Sequence, residues 1–203
     1  MMFVDGFLKP PYMIKSLIKL IIFGGSVIFY RIRQKETLLL FSIEKKSLIR
    51  ILLLSFGIYG IIIGAYRLTA NWIDYSHITE TLTSTIAVKK ENFLYVSIYI
   101  SLINSFLEEI FFRGYCYLTL RNHMSEKISC FFSAGLFALY HGGMLDGWFS
   151  ILIYLLMLGL LFLAGLFFNK LDQKSGSILP SWLPHMFANF GINTIGFILF
   201  KII

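Results

Sequence analysis

The chain has 203 residues, of which 57% are hydrophobic and only 14% are charged, and its net charge is +7. A soluble domain carries roughly 25% charged residues, whereas this chain combines a mean hydropathy of +0.75 with long apolar runs. These features exclude a soluble protein and predict an integral membrane protein that crosses the bilayer several times. The basic residues cluster between the apolar runs, where we interpret them as topology signals that face anionic lipid, so we expect no nucleic-acid partner.

Six apolar segments are predicted to cross the membrane, each as a helix, because backbone groups cannot stay unpaired in lipid. In chain order they are residues 12–30, 48–66, 93–119, 127–142, 148–168 and 178–200. Lys15 and Lys19 interrupt the first segment, and we expect their ammonium groups to reach the lipid headgroups. The predicted fold class is therefore all-α, a polytopic integral membrane protein with about six transmembrane helices.

The distribution of lysine and arginine predicts the orientation of the chain. The loops after the first, third and fifth segments are rich in these residues, whereas the loops on the other side are poorer in them or contain acidic residues as well. The positive-inside rule therefore places the three basic loops in the cytoplasm. This orientation puts both termini outside, and the lysines near the N-terminus oppose it.

The third segment contains three charged residues, Glu108, Glu109 and Arg113, within an apolar run. A charge at the centre of a bilayer costs about 2.5–3.5 kcal/mol on insertion scales, so charges at this depth usually have a function. Glu109 and Arg113 are four residues apart and are predicted to pair on one helix face. Glu108 points about 100° away from Glu109 and is left available for chemistry.

Later segments contribute more polar residues at a similar depth. His141 ends the fourth apolar run, and His185 and Asn189 share one face of the last. With a rise of 1.5 Å per residue from the predicted cytoplasmic ends, Glu108 and Asn189 lie about 18 Å deep, His141 about 21 Å and His185 about 12 Å. We therefore expect three helices to present these side chains to one pocket inside the membrane.

The residues Glu108-Glu109-x-x-x-Arg113, then Phe137-x-x-x-His141, then His185-x-x-x-Asn189 resemble the motifs of the CPBP intramembrane proteases. This family contains the type II CAAX prenyl endopeptidases and bacteriocin-processing relatives, and is also called ABI. The resemblance covers about residues 93–200. It implies a protease core of four helices in residues 93–203. Residues 1–92 carry no motif of the family, and their two apolar segments are predicted to form two amino-terminal transmembrane helices with loops.

The resemblance also implies roles for individual residues. Glu108 and His141 would activate a water molecule for attack on a peptide carbonyl, and His185 and Asn189 would stabilise the resulting oxyanion. The substrate would be a membrane-associated peptide or protein, of the CAAX type or a leader peptide such as that of a bacteriocin. The setting would be a bacterial or archaeal plasma membrane, with the active site open to the cytoplasm.

Three further residues would have supporting roles under the same resemblance. Glu109 and Arg113 would hold Glu108 in position, and Phe137 would pack near the site. A purely structural ion pair between Glu109 and Arg113 is the alternative for that part of the motif.

The sequence leaves the question of a metal open. Glu108, His141 and His185 match a catalytic zinc site with three protein ligands. The HExxH motif is missing from the sequence, and Asn189 is a poor zinc ligand but a good oxyanion donor. We therefore favour no cofactor and keep zinc as the alternative.

Two other classes of function fit the same residues. A non-catalytic membrane scaffold or a bacteriocin immunity protein could use the same fold. A proton-coupled transporter could use Glu108 and Glu109 as a relay, although the sequence has no visible inverted repeat.

Overall fold

The structure, a computed structural model, describes residues 10, 12–34, 41–145 and 150–203. It is 84% helical, and the described residues contain no strand. This confirms the predicted all-α fold class. Residues 35–40 of the first predicted loop and residues 148–149 of the fifth predicted segment lie outside the described residues.

Seven helices follow one another in the described part of the chain. They are α1 (Tyr12–Lys19, Leu20–Gly24 and Gly25–Gln34), α2 (Lys45–Thr69), α3 (Ser76–Ile86), α4 (Phe93–Asn122), α5 (Glu126–Leu145), α6 (Ile151–Ser175) and α7 (Leu179–Leu199). Six of them coincide with the predicted segments. The sequence did not predict α3, because its threonine and serine residues have low helix propensity and are typical of a loop.

Within the residues that the structure describes, four helices are long and apolar enough to cross a membrane: Tyr12–Tyr30 within α1, and α2, α4 and α6. The chain is therefore a polytopic membrane protein. Helices α5 and α7 have 20 and 21 residues, which corresponds to about 30 Å. Their length fits a bilayer, and their crossing of it stays a prediction.

Widened helical turns interrupt α1 and α4. In α1 they occupy Leu20–Gly24, directly after Lys19. In α4 they occupy Ile100–Asn104 and Ile110–Thr119, on either side of Glu108 and Glu109. Turns of this kind accommodate an extra residue and often accompany functional sites. The two glutamates thus lie on a short regular segment between two irregular ones.

The turn between α6 and α7 is built from local hydrogen bonds. Gly176 adopts a left-handed conformation (φ +63°) that ends α6, and its N–H donates to the carbonyl of Asp172 at 2.9 Å. The Ser177 hydroxyl then accepts the N–H of Leu179 at 3.2 Å, at the start of α7. The turn therefore fixes the point at which α7 begins.

The chain forms two compact units. The first unit contains the described part of Met1–Ile43 together with Leu107–Ser181, and the second contains Glu44–Phe106 together with Trp182–Ile203. Each unit thus combines two separate stretches of sequence. The predicted division after residue 92 describes the chain order and stays a prediction.

The core of the first unit is aromatic and has polar ties between its helices. Five buried rings form the cluster: Phe23, Phe112, Phe137, Tyr140 and Phe168. The Asn169 amide in α6 donates to the Cys130 carbonyl in α5 at 2.9 Å. The Ser133 hydroxyl of α5 donates to the Phe112 carbonyl of α4 at 2.8 Å. These hydrogen bonds set how α4, α5 and α6 are oriented against one another, because apolar packing alone is not directional.

In the second unit, α7 packs against α2 and the first half of α4. Gly191 lies directly against Ile62, and the Asn193 amide donates to the Ser97 carbonyl at 3.1 Å and to the Ser101 hydroxyl at 2.9 Å. An apolar cavity of about 420 Å³ lies among these helices, with Asn193 on its wall. The amide therefore satisfies polar groups of α4 inside an apolar surrounding.

Candidate active site

Glu108 is the centre of the polar contacts in the first unit. Its side chain is 1% exposed. The Lys19 ammonium lies 2.8 Å from Oε1, and the Tyr140 hydroxyl donates to the same oxygen at 3.2 Å. The other oxygen, Oε2, lies 3.6 Å from Nε2 of His141. The two carboxylate oxygens therefore have different neighbours.

Lys19 contradicts two expectations from the sequence. Its side chain is 4% exposed, and its ammonium pairs with Glu108 instead of reaching the headgroups. The second expectation was that Glu108 would be left available, but its carboxylate pairs with the ammonium of Lys19. A charge in an apolar environment is stabilised by an opposite charge and hydrogen bonds, and Lys19 and Glu108 supply these to each other.

His141 has a defined tautomer. Its Nδ1 lies 2.9 Å from the carbonyl oxygen of Phe137, and because a carbonyl can only accept, Nδ1 must carry the hydrogen. In the neutral ring Nε2 therefore has a lone pair, and it faces Oε2 of Glu108. Two facing lone pairs require a proton, a water molecule or a cation between them. The His141 side chain is 15% exposed, so the site is not fully closed off from its surroundings.

Glu109 and Arg113 form the predicted ion pair, which is confirmed. Nε of Arg113 lies 3.3 Å from Oε2 of Glu109, and neither side chain is exposed. The guanidinium carbon also lies 4.1 Å from the ring centre of Phe137 and 5.0 Å from that of Phe168. Aromatic faces stabilise a cation at this range, so the arginine is held by one carboxylate and two rings.

Ser181 connects Glu109 to a second carboxylate. Its hydroxyl lies 2.6 Å from Oε2 of Glu109 and 2.7 Å from Oδ2 of Asp172, and its N–H donates to Oδ1 of Asp172 at 3.0 Å. Asp172 in α6, Glu109 in α4 and the first turn of α7 are thereby joined at one point. This network fixes the helix that carries Glu108.

Phe137 packs against His141. Its ring centre is 4.4 Å from that of His141, and its carbonyl holds the Nδ1 hydrogen of the same histidine. Phe137 therefore contacts both His141 and Arg113.

His185 and Asn189 lie in the second unit, one turn apart on α7. His185 is 5% exposed and directly follows Pro184, which interrupts the hydrogen bonds of the helix because it has no N–H. The Asn189 amide donates to the carbonyl of Ile100 at 3.3 Å. That carbonyl begins the first widened segment of α4.

Among the described residues, Glu108 offers a carboxylate oxygen, and His141 and His185 each offer a ring nitrogen, as potential metal ligands. These donor types suit zinc. The hydrogen bond from Nδ1 of His141 to a backbone carbonyl is also usual for a histidine ligand. The chemistry of these donor types therefore fits a metal.

Several residues of the first unit were missed by sequence reasoning: Lys19, Tyr140, Asp172 and Ser181. One signal was available, because Lys19 is a charged residue within an apolar segment and should have been treated in the same way as Glu108. Asp172 likewise ends an apolar helix. Tyr140 and Ser181 carry no comparable signal, since isolated hydroxyl groups are common in membrane helices.

Helices apolar enough to cross a bilayer, with a buried carboxylate beside a half-buried imidazole, define an integral membrane protein with a candidate hydrolytic centre. The family model for Rce1-like proteins, described as type II CAAX prenyl endopeptidase Rce1-like, matches residues 90–191, which is half of the 203-residue chain. The chain belongs to this family, as its motifs predicted, and at family level this is a CAAX-type intramembrane protease. The comparisons with curated proteins and with solved structures found no match.

Proposed function

We propose that this chain is an intramembrane endopeptidase that hydrolyses a peptide bond in a membrane-associated protein or peptide. The observation that carries the proposal is the pair formed by Oε2 of the buried Glu108 and Nε2 of the half-buried His141, 3.6 Å apart. Both atoms lie on residues within the matched stretch 90–191. A carboxylate and a neutral imidazole in this arrangement can accept a proton from a water molecule between them.

The proposed reaction begins with that water molecule. Its oxygen attacks the carbonyl carbon of the substrate while the Glu108–His141 pair accepts one of its protons. A new C–O bond forms, and the carbonyl electrons move to oxygen. When the tetrahedral intermediate collapses, the C–N bond breaks and the pair returns the proton to the leaving amine. The products are a carboxylic acid and an amine.

We assign the stabilisation of the oxyanion to His185 and Asn189. Both side chains can donate hydrogen bonds, and they share one face of α7. Donors aimed at a developing oxyanion contribute about 10²–10³-fold to kcat each. Water-poor surroundings strengthen such interactions, because the local dielectric constant is low.

The remaining motif residues position these groups. The Glu109–Arg113 pair and the Ser181 bridge hold the segment of α4 that carries Glu108. Phe137 fixes the ring of His141 through its carbonyl. None of these residues needs to contact the substrate.

A divalent metal is not required by this scheme. When bound to Glu108, His141 and His185, such an ion would supply Lewis-acid activation of water or of the carbonyl. Because Nδ1 of His141 is bonded to the Phe137 carbonyl, Nε2 would be the nitrogen available to the ion. The same nitrogen is available to the water molecule in the metal-free scheme.

The substrate class follows from the location of the site. The bond to be cleaved must reach side chains among membrane helices, so we propose a substrate tethered to or inserted in the bilayer and surrounded by membrane lipids. Prenylated CAAX proteins and leader peptides both meet this requirement. The basic loops predict that the site opens to the cytoplasm.

The test compares wild-type protein with Glu108→Gln and His141→Ala in proteoliposomes that contain membrane-tethered peptides, with and without a prenyl group. We expect cleavage by the wild type and loss of about 10²–10⁴-fold in each variant. Glu91→Gln, which changes an exposed glutamate of the same type, should cleave as the wild type does. A wild type that cleaves no peptide, or a Glu108→Gln variant of undiminished rate, would overturn the proposal.

A non-catalytic membrane scaffold or immunity protein is the second candidate. The buried ion pair of Lys19 with Glu108 favours it, since such pairs can also serve structure alone. Glu108→Gln keeps the shape of the side chain, so a scaffold should retain its cellular phenotype in this variant. A protease should lose it.

A further inference from the structure

We infer that Lys19 is a positioning residue of this site: its ammonium holds Oε1 of Glu108 and thereby directs Oε2 toward His141. This inference rests on the proposed function. It assigns a role to a residue of α1, which lies outside the matched residues 90–191. Lys19 and Glu108 are 89 positions apart in the chain.

The geometry separates the two oxygens of the carboxylate. Lys19 and Tyr140 both donate to Oε1, at 2.8 and 3.2 Å. His141 faces Oε2 at 3.6 Å. A carboxylate can rotate about its last bond, and two donors on one oxygen restrict that rotation. The lone pair that would accept a proton from water is then kept beside Nε2 of His141.

The ammonium of Lys19 is itself fixed by its surroundings. It lies 4.6 Å from the ring centre of Tyr140, within the range of a cation–π interaction. One turn further along α1, Phe23 stacks on Phe111 of α4, with ring centres 4.4 Å apart and planes 6° apart. Phe23 also meets Phe112 and Tyr140 edge-on. The position of the ammonium therefore follows from the docking of α1 on α4 and α5.

This arrangement predicts an effect on turnover more than on substrate binding. Lys19 acts through its contact with Glu108, so we expect Lys19→Met to lower kcat and leave KM close to its wild-type value. A misplacement of about 1 Å in a reacting group can reduce the rate about a hundredfold, and we expect a loss of this size. Lys19→Arg should restore most of kcat, because a guanidinium can donate to the same oxygen.

The experiment measures kcat and KM in proteoliposomes for wild type, Lys19→Met, Lys19→Arg and Glu108→Gln. Lys15→Met is the matched control, because Lys15 lies one turn earlier in α1 and is only half-buried. It should behave as the wild type. The double variant Lys19→Met/Glu108→Gln should be no slower than Glu108→Gln alone, since both changes act on one carboxylate.

The outcomes separate this inference from the proposed function. If the wild type cleaves and Lys19→Met has an unchanged or higher kcat, or if the loss appears only in KM, the role of Lys19 is overturned while the protease stands. If the wild type cleaves nothing, both fall. If Lys19→Met does not fold, Lys19→Gln replaces it in the experiment. A kcat of Lys19→Gln equal to that of Lys19→Arg would then overturn the inference.

Discussion

Gly165 in α6 lies so close to Ala134 in α5 that a Cβ atom added at residue 165 would be 2.9 Å from the Cα of Ala134. The obstacle is backbone, which cannot move aside as a flexible side chain can. Small residues allow membrane helices to approach each other in this way. The contact brings together the two helices that carry His141 and Asp172.

Gly165→Ala should therefore destabilise the protein. Overpacking costs about 1–3 kcal/mol, and we expect the free energy of unfolding in detergent to fall by that amount. Gly159→Ala is the matched control on the same helix, since no atom lies within 4 Å of its added Cβ. It should be neutral or stabilise by up to about 1 kcal/mol, because alanine favours helix. Equal effects of the two substitutions would contradict this contact.

Removal of one member of the Glu109–Arg113 pair should be strongly destabilising. Arg113→Met leaves a buried carboxylate without its cation, at about 3–5 kcal/mol. The double variant Glu109→Gln/Arg113→Met should recover part of this loss, because the uncompensated charge is gone. Thermal unfolding in detergent measures both, with Lys127→Met on the exposed face of α5 as a control. If Arg113→Met lowers the thermal midpoint no more than Lys127→Met does, the Glu109–Arg113 pair has no structural role.

Asn189 and Asn193, one turn apart on α7, should respond in opposite ways. Asn193 is buried and makes two donations to α4, so Asn193→Ala should lower the free energy of unfolding by about 1–3 kcal/mol with kcat unchanged. Asn189 makes one long bond, of 3.3 Å. Asn189→Ala should leave stability almost unchanged and lower kcat by about 10²–10³-fold. Measuring kcat and the thermal midpoint for both variants tests the assignment of Asn189 to the oxyanion and of Asn193 to structure. A loss of kcat in Asn193→Ala but not in Asn189→Ala would contradict it.

Treatment with a chelator should leave cleavage intact, because the proposed step needs only Glu108, His141 and water. The measurement compares peptide cleavage before and after dialysis against a chelator, with the metal content of the protein determined in parallel. A loss of cleavage that zinc restores would contradict the expectation. It would assign Glu108, His141 and His185 as ligands, and His185→Ala should then lower the bound zinc.

Much of the fold could be predicted from the sequence, because its signals are local. Apolar length gave the six segments that became α1, α2 and α4 to α7, with ends displaced by a few residues. The Glu109–Arg113 pair was predictable for the same reason, since four residues along a helix place two side chains on one face. Helix α3 was missed because its threonines carry little helical signal.

The sequence by itself determined that this chain is a membrane protein of helices, that its family is that of the Rce1-like proteases, and which polar residues lie deep in apolar segments. Hydropathy, helical periodicity and motif spacing act over a few residues and can be read directly. Only the tertiary structure decided that Lys19 pairs with Glu108 and that Ser181 joins Glu109 to Asp172. Such pairings depend on which faces of distant helices pack together. A buried charge is stabilised only by an opposite charge or hydrogen bonds that this packing places beside it.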